Sequence, residues 1–203
     1  MVEPQKDKFW KALVLTVIVF LLGIALGYYL EAGRIDKVQK EINELIINWD
    51  DARTQASYYE NINLEFCEKA VEENLNFGDK IYEYGLIIED YEKANRLTET
   101  LEIEKRKYAL LKLQFLINSL NLREKCNKDY KIVLYFYQDK PENLDIKSRQ
   151  TVASRVLSEL KEKKGSEIIL IPLAGDLDLG VINILKENYK IEEYPSVVVE
   201  AVV

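Results

Sequence analysis

Histidine is absent from this 203-residue chain. That removes the commonest general base, the usual metal ligand and any Ser-His or Cys-His catalytic pair. Cysteine is nearly absent. Cys67 and Cys126 are the two present; they are too few and too far apart for a zinc site, and no C-x-x-C occurs. Basic residues are in deficit, 28 Lys and Arg against 35 Asp and Glu, for a net charge of -7. Nucleic-acid binding rests on clustered Lys and Arg, so no nucleic-acid partner is expected. Glycine and proline are scarce, 8 and 4, and neither occurs from 52 to 77, which favours long helices through the first two-thirds. No catalytic constellation, cofactor site or metal site stands out.

One long stretch lacks charge altogether. "ALVLTVIVFLLGIALGYYL", 12–30, is long enough at about 1.5 Å per residue to cross the ~30 Å hydrocarbon core. Trp10 lies at one end and Tyr28 and Tyr29 at the other, as an aromatic belt requires. The segment predicts a single-pass helix in the lipid bilayer of the cell membrane, preceded by a short tail, 1–11. A cleaved signal peptide is the alternative, since Ala25-Leu26-Gly27 is a small-x-small site, although the run exceeds the usual ~7–15-residue apolar core. Basic flanks tie. The very short tail favours an inside N-terminus, with the C-terminal part extracytoplasmic.

From 31 to 128 the pattern is helical. Ile35, Val38, Ile42, Leu45, Trp49, Ala52, Ala56 and Tyr59 recur at alternating steps of three and four, a heptad seam. It either packs on the chain's own later helices or forms a homodimeric coiled coil. A second helix is expected over about 62–92, with Leu64, Cys67, Val71, Leu75, Gly78 and Tyr82 on one face. After the polar joint "KANRLTET", Leu101, Tyr108, Leu111, Phe115 and Leu122 mark a third. The midpoint of the two cysteines falls between Arg96 and Leu97, inside the joint. An antiparallel hairpin turning there brings Cys67 and Cys126 level, within the ~7 Å that a disulfide permits. Two buried, unpaired thiols are the alternative.

The remainder, 129–203, reads β-α-β-α-β. "KIVLYFY" and "SEIILIPLAGD" are apolar nearly throughout and should be central, parallel strands. Between them lies a helix that Ser148 would cap and Gly165 would stop, burying Val152, Val156, Leu157 and Leu160. A second helix buries Val181, Ile184, Leu185 and Tyr189, with Asp178 as its cap. "SVVVEAVV" is a strand opened by Pro195, as proline's missing N–H demands. Adjacent carboxylates such as Glu72-Glu73, Glu89-Asp90 and Glu192-Glu193 do not face each other on a helix and read as solvated. Asp176 and Asp178 lack the further ligands of a calcium loop.

The matched stretches "IVLYFY", "IILIPLAGDLD" and "LKENYKIEEYPSVVV" resemble the thioredoxin-like fold over about 129–203. The last is similar to that family's proline element. The resemblance implies a cis Tyr194-Pro195 bond facing the loop before the first helix, with Ser196 where threonine is common. It also implies a groove for extended peptide, walled by Tyr194, Pro195 and Ser196 and by Leu144 and Lys147 opposite. The chain departs from the family at that loop. Leu144 and Lys147 stand at the spacing of a C-x-x-C, and neither forms a thiolate. The family also continues with a further strand and a closing helix, so the α/β domain is expected to be incomplete, or its edge covered by another chain or by the helical part.

The whole layout is similar to a group of prokaryotic membrane-anchored thioredoxin-like proteins. With the C-x-x-C missing, a redox-inactive, protein-binding or structural module with an unidentified protein partner is expected. A membrane-tethered thiol-disulfide oxidoreductase using Cys67 and Cys126, and a coiled-coil scaffold, are the alternatives.

Overall fold

The structure is a computed structural model and describes residues 5–59, 64–93 and 99–199. The chain divides into two compact units, Met1–Glu41 and Ile42–Val203.

The first helix, α1, runs over Gln5–Tyr59. Its Phe9–Leu30 portion is 22 residues of apolar helix, none of it buried by other parts of the chain. Length and composition fit a single-pass membrane helix or a signal sequence. The side chains of the heptad seam from Ile35 to Tyr59 lie outside the described residues, and so does the joint at Arg96 and Leu97.

A 3-10 turn, Leu64–Phe66, leads into α2, Cys67–Lys93, and α3 follows over Glu99–Lys125. The two pack as an antiparallel pair. Partners run in opposite directions along them: Asn74 meets Ser119, Phe77 meets Phe115 edge-on at 6.4 Å between centroids, and Glu92 meets Lys105. Gly78 makes room for the Phe115 ring, because a Cβ there would stand 2.6 Å from it. The buried stripe of α2 is Ala70, Asn74, Phe77, Ile81, Tyr84 and Ile88. This corrects the expected face: Tyr82 is 68% exposed, and Val71, Leu75 and Gly78 are half-buried. The expected stripe ran through Cys67, Val71, Leu75 and Tyr82, whereas the helix buries the adjoining side, which carries Phe77, Ile81 and Ile88 together with Asn74. On α3 the expected Leu101, Leu111, Phe115 and Leu122 are buried, and Ala109, Leu113, Leu116 and Leu120 are buried as well. An arc this wide follows from α3 contacting both α2 and a strand of the sheet. The helix ends at Asn127, whose φ of 47° is the left-handed stop that asparagine tolerates.

The sheet is three-stranded, in the order β2-β1-β3. β1, Lys131–Tyr137, pairs in parallel with β2, Ile168–Ala174, and antiparallel with β3, Ser196–Val199. β1 is central and buried on both faces. β2 is not central as expected. It lies outermost in the described sheet, and its half-buried Ile168, Leu170 and Pro172 alternate with buried Ile169, Ile171 and Leu173. Pro172, lacking an N–H, is tolerated on such a strand.

Helix α4, Leu144–Lys164, packs Leu157 and Ala153 on Val133 and Tyr135. Its cap is Asn143, not Ser148: the Asn143 side-chain oxygen accepts from the Asp145 N–H at 2.8 Å. One extra turn thereby joins the helix. Leu157 is buried as expected, but Val152, Val156 and Leu160 are exposed. Gln150 takes a buried place instead, because its amide has backbone partners. Helix α5, Gly180–Asn188, is preceded by Leu179 with no side-chain cap, so Asp178 does not serve there. Ile182 is its buried residue, Val181, Leu185 and Tyr189 are half-buried, and Ile184 is 66% exposed.

Candidate functional site

Proline at 195 opens β3, and the Tyr194-Pro195 bond is cis, as expected. Ser196 pairs with Phe136, so the proline segment meets the sheet at the C-terminal end of β1. The next segments, 138–143 and then α4, leave from that same end. Pro195 and the segment 138–143 that leads into α4 therefore adjoin the same end of β1. Tyr194 packs its ring against the backbone at Gly175, where a side chain would clash. The Tyr194 hydroxyl is buried without a hydrogen-bond partner, and the Lys186 ammonium stands 5.9 Å from the ring centroid. The Ser196 hydroxyl donates to the Glu193 carbonyl at 2.6 Å, which shapes the turn before the strand. Leu144 is 79% exposed in the first turn of α4, and Lys147 is exposed one turn later. Neither bonds to Tyr194, Pro195 or Ser196.

The loops at this end are tied by main-chain hydrogen bonds. The Gln150 side chain accepts from the Gln138 N–H at 2.9 Å and donates to its carbonyl at 3.0 Å, imitating a strand partner. The Asp139 N–H donates to the Asp176 carboxylate, and the Gly175 N–H to the Tyr137 carbonyl at 2.8 Å.

A layer of charge lies beside them that the sequence reading missed. Lys105 of α3 is 6% exposed, and its ammonium is ion-paired to both Glu92 of α2 and Asp139 of the loop after β1. Burial pulls its pKa down, but the hydrogen bonds it donates to Asp139 and Glu92 together outweigh burial and hold it above its ordinary value. Lys112, one heptad on, is 4% exposed. Its ammonium stands 4.3 Å from the Tyr108 ring centroid and 5.9 Å from that of Tyr137. Among the described residues no carboxylate is within ion-pair reach of it. Burial lowers its pKa to about 7, with Asp139 raising and Lys105 lowering it by smaller amounts. Burial also raises the phenols of Tyr108 and Tyr137 well above their ordinary value. The signal was present in "KRKYALLKL", where both lysines fall on the buried stripe. Lysine on such a stripe is ordinarily solvated, and only the positions of Glu92 and Asp139 in three dimensions account for the burial of Lys105.

The two cysteines form a disulfide with Cα atoms 5.5 Å apart, tying the start of α2 to the end of α3. Among the described residues no cluster of His, Cys, Asp or Glu has the makeup of a metal site. No family model, curated protein or solved structure matches the chain.

Proposed function

We propose that this chain is a membrane-anchored, redox-inactive thioredoxin-like protein whose C-terminal domain binds a protein partner at the end of the sheet carrying Pro195. The anchor is the Phe9–Leu30 helix, and the C-terminal part is extracytoplasmic. The cis Tyr194-Pro195 bond, directly before an antiparallel β3 at the C-terminal end of β1, carries the reading. The β2-β1-β3 order and the β-α-β-α-β succession support it. The start of α4 offers Leu144 and Lys147 where a redox-active member has cysteines, so the site is equipped to hold an extended segment rather than exchange disulfides. The Cys67–Cys126 bond supports a location on the oxidising side of the membrane. No cofactor takes part in this reading.

A gain-of-function variant tests the fold assignment. Leu144→Cys combined with Lys147→Cys is expected to form a second disulfide and to catalyse reduction of insulin by dithiothreitol, while the native chain is inert. A double variant whose new thiols stay unpaired and inactive overturns the reading. The anchor and the side of the membrane are tested by the intact mass and alkylation count of the chain from isolated membranes solubilised in denaturant without reductant. An N-terminus retained in the membrane, with no thiol alkylated under denaturing, non-reducing conditions, is the expected result. A shortened chain indicates a signal sequence, and two alkylated thiols count against the oxidising side.

A further inference from the structure

Two lysines on one stripe of α3 face the same end of β1, and they are treated differently. Lys105 is ion-paired to two carboxylates from two other elements. Lys112 is buried as deeply and faces two tyrosine rings. We propose that Lys112 is a proton-operated latch: as a neutral amine it lets α3 close on the end of β1, and its protonation loosens the loops anchored there.

The groups around it define the latch. Facing Lys112 are Tyr108 and Lys105 of α3, Tyr137 of β1 and Asp139 of the following loop, while Glu92 of α2 and Asp176 of the turn after β2 act on Tyr137. Glu92 and Asp139 are both engaged by Lys105, and Asp176 by the Asp139 N–H. An ammonium at Lys112 therefore finds no uncommitted carboxylate. It either stays buried beside the Lys105 charge or competes for Asp139. Competition for Asp139 weakens the tie between the hairpin and the loop, and exposure of the ammonium to water parts α3 from Tyr137. Two tyrosine faces offset only part of the lost hydration, since a cation over an aromatic ring contributes far less than desolvation of an ion costs.

The sign of the pH response follows from linkage. In the closed form Lys112 holds its proton more weakly than an ordinary lysine, and in the open, hydrated form it is ordinary. The open form binds more protons between pH of about 7 and about 10.5, so it gains population as pH falls through that window and levels off below it. The loops concerned adjoin Tyr194 and Leu144, so where the groove reading holds, the latch also regulates the groove. The latch itself stands without that reading.

The test uses the full chain in detergent micelles. The Lys112 side-chain Cε resonance, assigned by its loss in Lys112→Met, is followed from pH 6 to 11. Hydrogen-exchange protection of the Gln138, Asp139 and Gly175 amides is measured over the same range and corrected for intrinsic exchange. A titration midpoint close to 7, with protection falling by up to about tenfold per pH unit on acidification and flat below 7, is expected. The Lys112→Met chain is expected to lose that dependence. A midpoint near the ordinary lysine value overturns the latch, and so does an equal pH dependence in native and variant chains. If the variant does not fold, the native chain alone decides: a midpoint near 7 with constant protection of the three amides also overturns it.

Discussion

The two ends of the α2–α3 hairpin solve the same problem, polar groups inside a helix pair, with opposite chemistry. Near the disulfide the layer is neutral. The Asn74 amide donates to the Ser119 hydroxyl at 2.9 Å, the Asn118 amide donates to Asn74 at 2.8 Å, and the Tyr130 hydroxyl donates to the Ser119 carbonyl at 2.5 Å. Towards the joint the layer is charged: Glu92, Lys105 and Asp139, with the unmatched Lys112 at the middle of α3. A neutral network of satisfied amides and hydroxyls specifies register and is indifferent to pH. A buried ion network also specifies position, but it depends on every partner being present and in its charge state. The covalent bond stands at the neutral end, so the charged end is the one free to respond.

Breaking the neutral end covalently gives the largest effect. Replacing Cys67 and Cys126 together by serine removes the closure of a loop with a sequence separation of 59. The chain-entropy relation gives a loss of about 4 kcal/mol, read by denaturant unfolding of the full chain. At the charged end, Asp139→Ala leaves Lys105 with Glu92 alone; a loss of about 3 kcal/mol is expected from one charge-assisted hydrogen bond removed from a buried ammonium. The same unfolding experiment on Asn74→Ala is expected to show about 2 kcal/mol, for a stranded Ser119 and Asn118, and the loss should be the same from pH 6 to 9.

The contrast is sharpened most by pH. Lys112 has its folded-state pKa lowered to about 7, so the unfolded chain binds more protons than the folded one up to the ordinary lysine range. Native stability should therefore rise with pH from about 7 to about 10.5, by at most about 1.4 kcal/mol per unit, and this contribution should vanish in Lys112→Met. A slope equal in both chains would place the titrating group elsewhere.

Much of this molecule is legible in one dimension. The strands 131–137 and 168–174 announce themselves as apolar runs bounded by turn residues, and they lie where expected. The cysteine register follows from the joint's position, since two antiparallel helices must bring equidistant residues level. A proline before a β-branched run marks the start of β3. Elsewhere the pattern misled. Val152, Val156 and Ile184 are as apolar as residues that are buried, yet they are exposed. Asn74, Lys105, Lys112 and Gln150 are polar and buried. Periodicity finds the stripe of a helix by averaging hydrophobicity, and a stripe whose polar members are satisfied by distant partners carries no such signature.

The sequence by itself determined the apolar span, the order of elements, the level of the two cysteines and the want of histidine and C-x-x-C that directs attention away from metal and thiolate chemistry. Each of these depends on local composition, chain stiffness or counting. Tertiary structure alone decided which face of each helix is inside, that Asn143 rather than Ser148 starts α4, and that one buried lysine is ion-paired while its neighbour one heptad on is not. Those outcomes turn on where a carboxylate from another element arrives. At a few ångströms inside a low-dielectric layer, that placement outweighs anything the residue's own type prescribes.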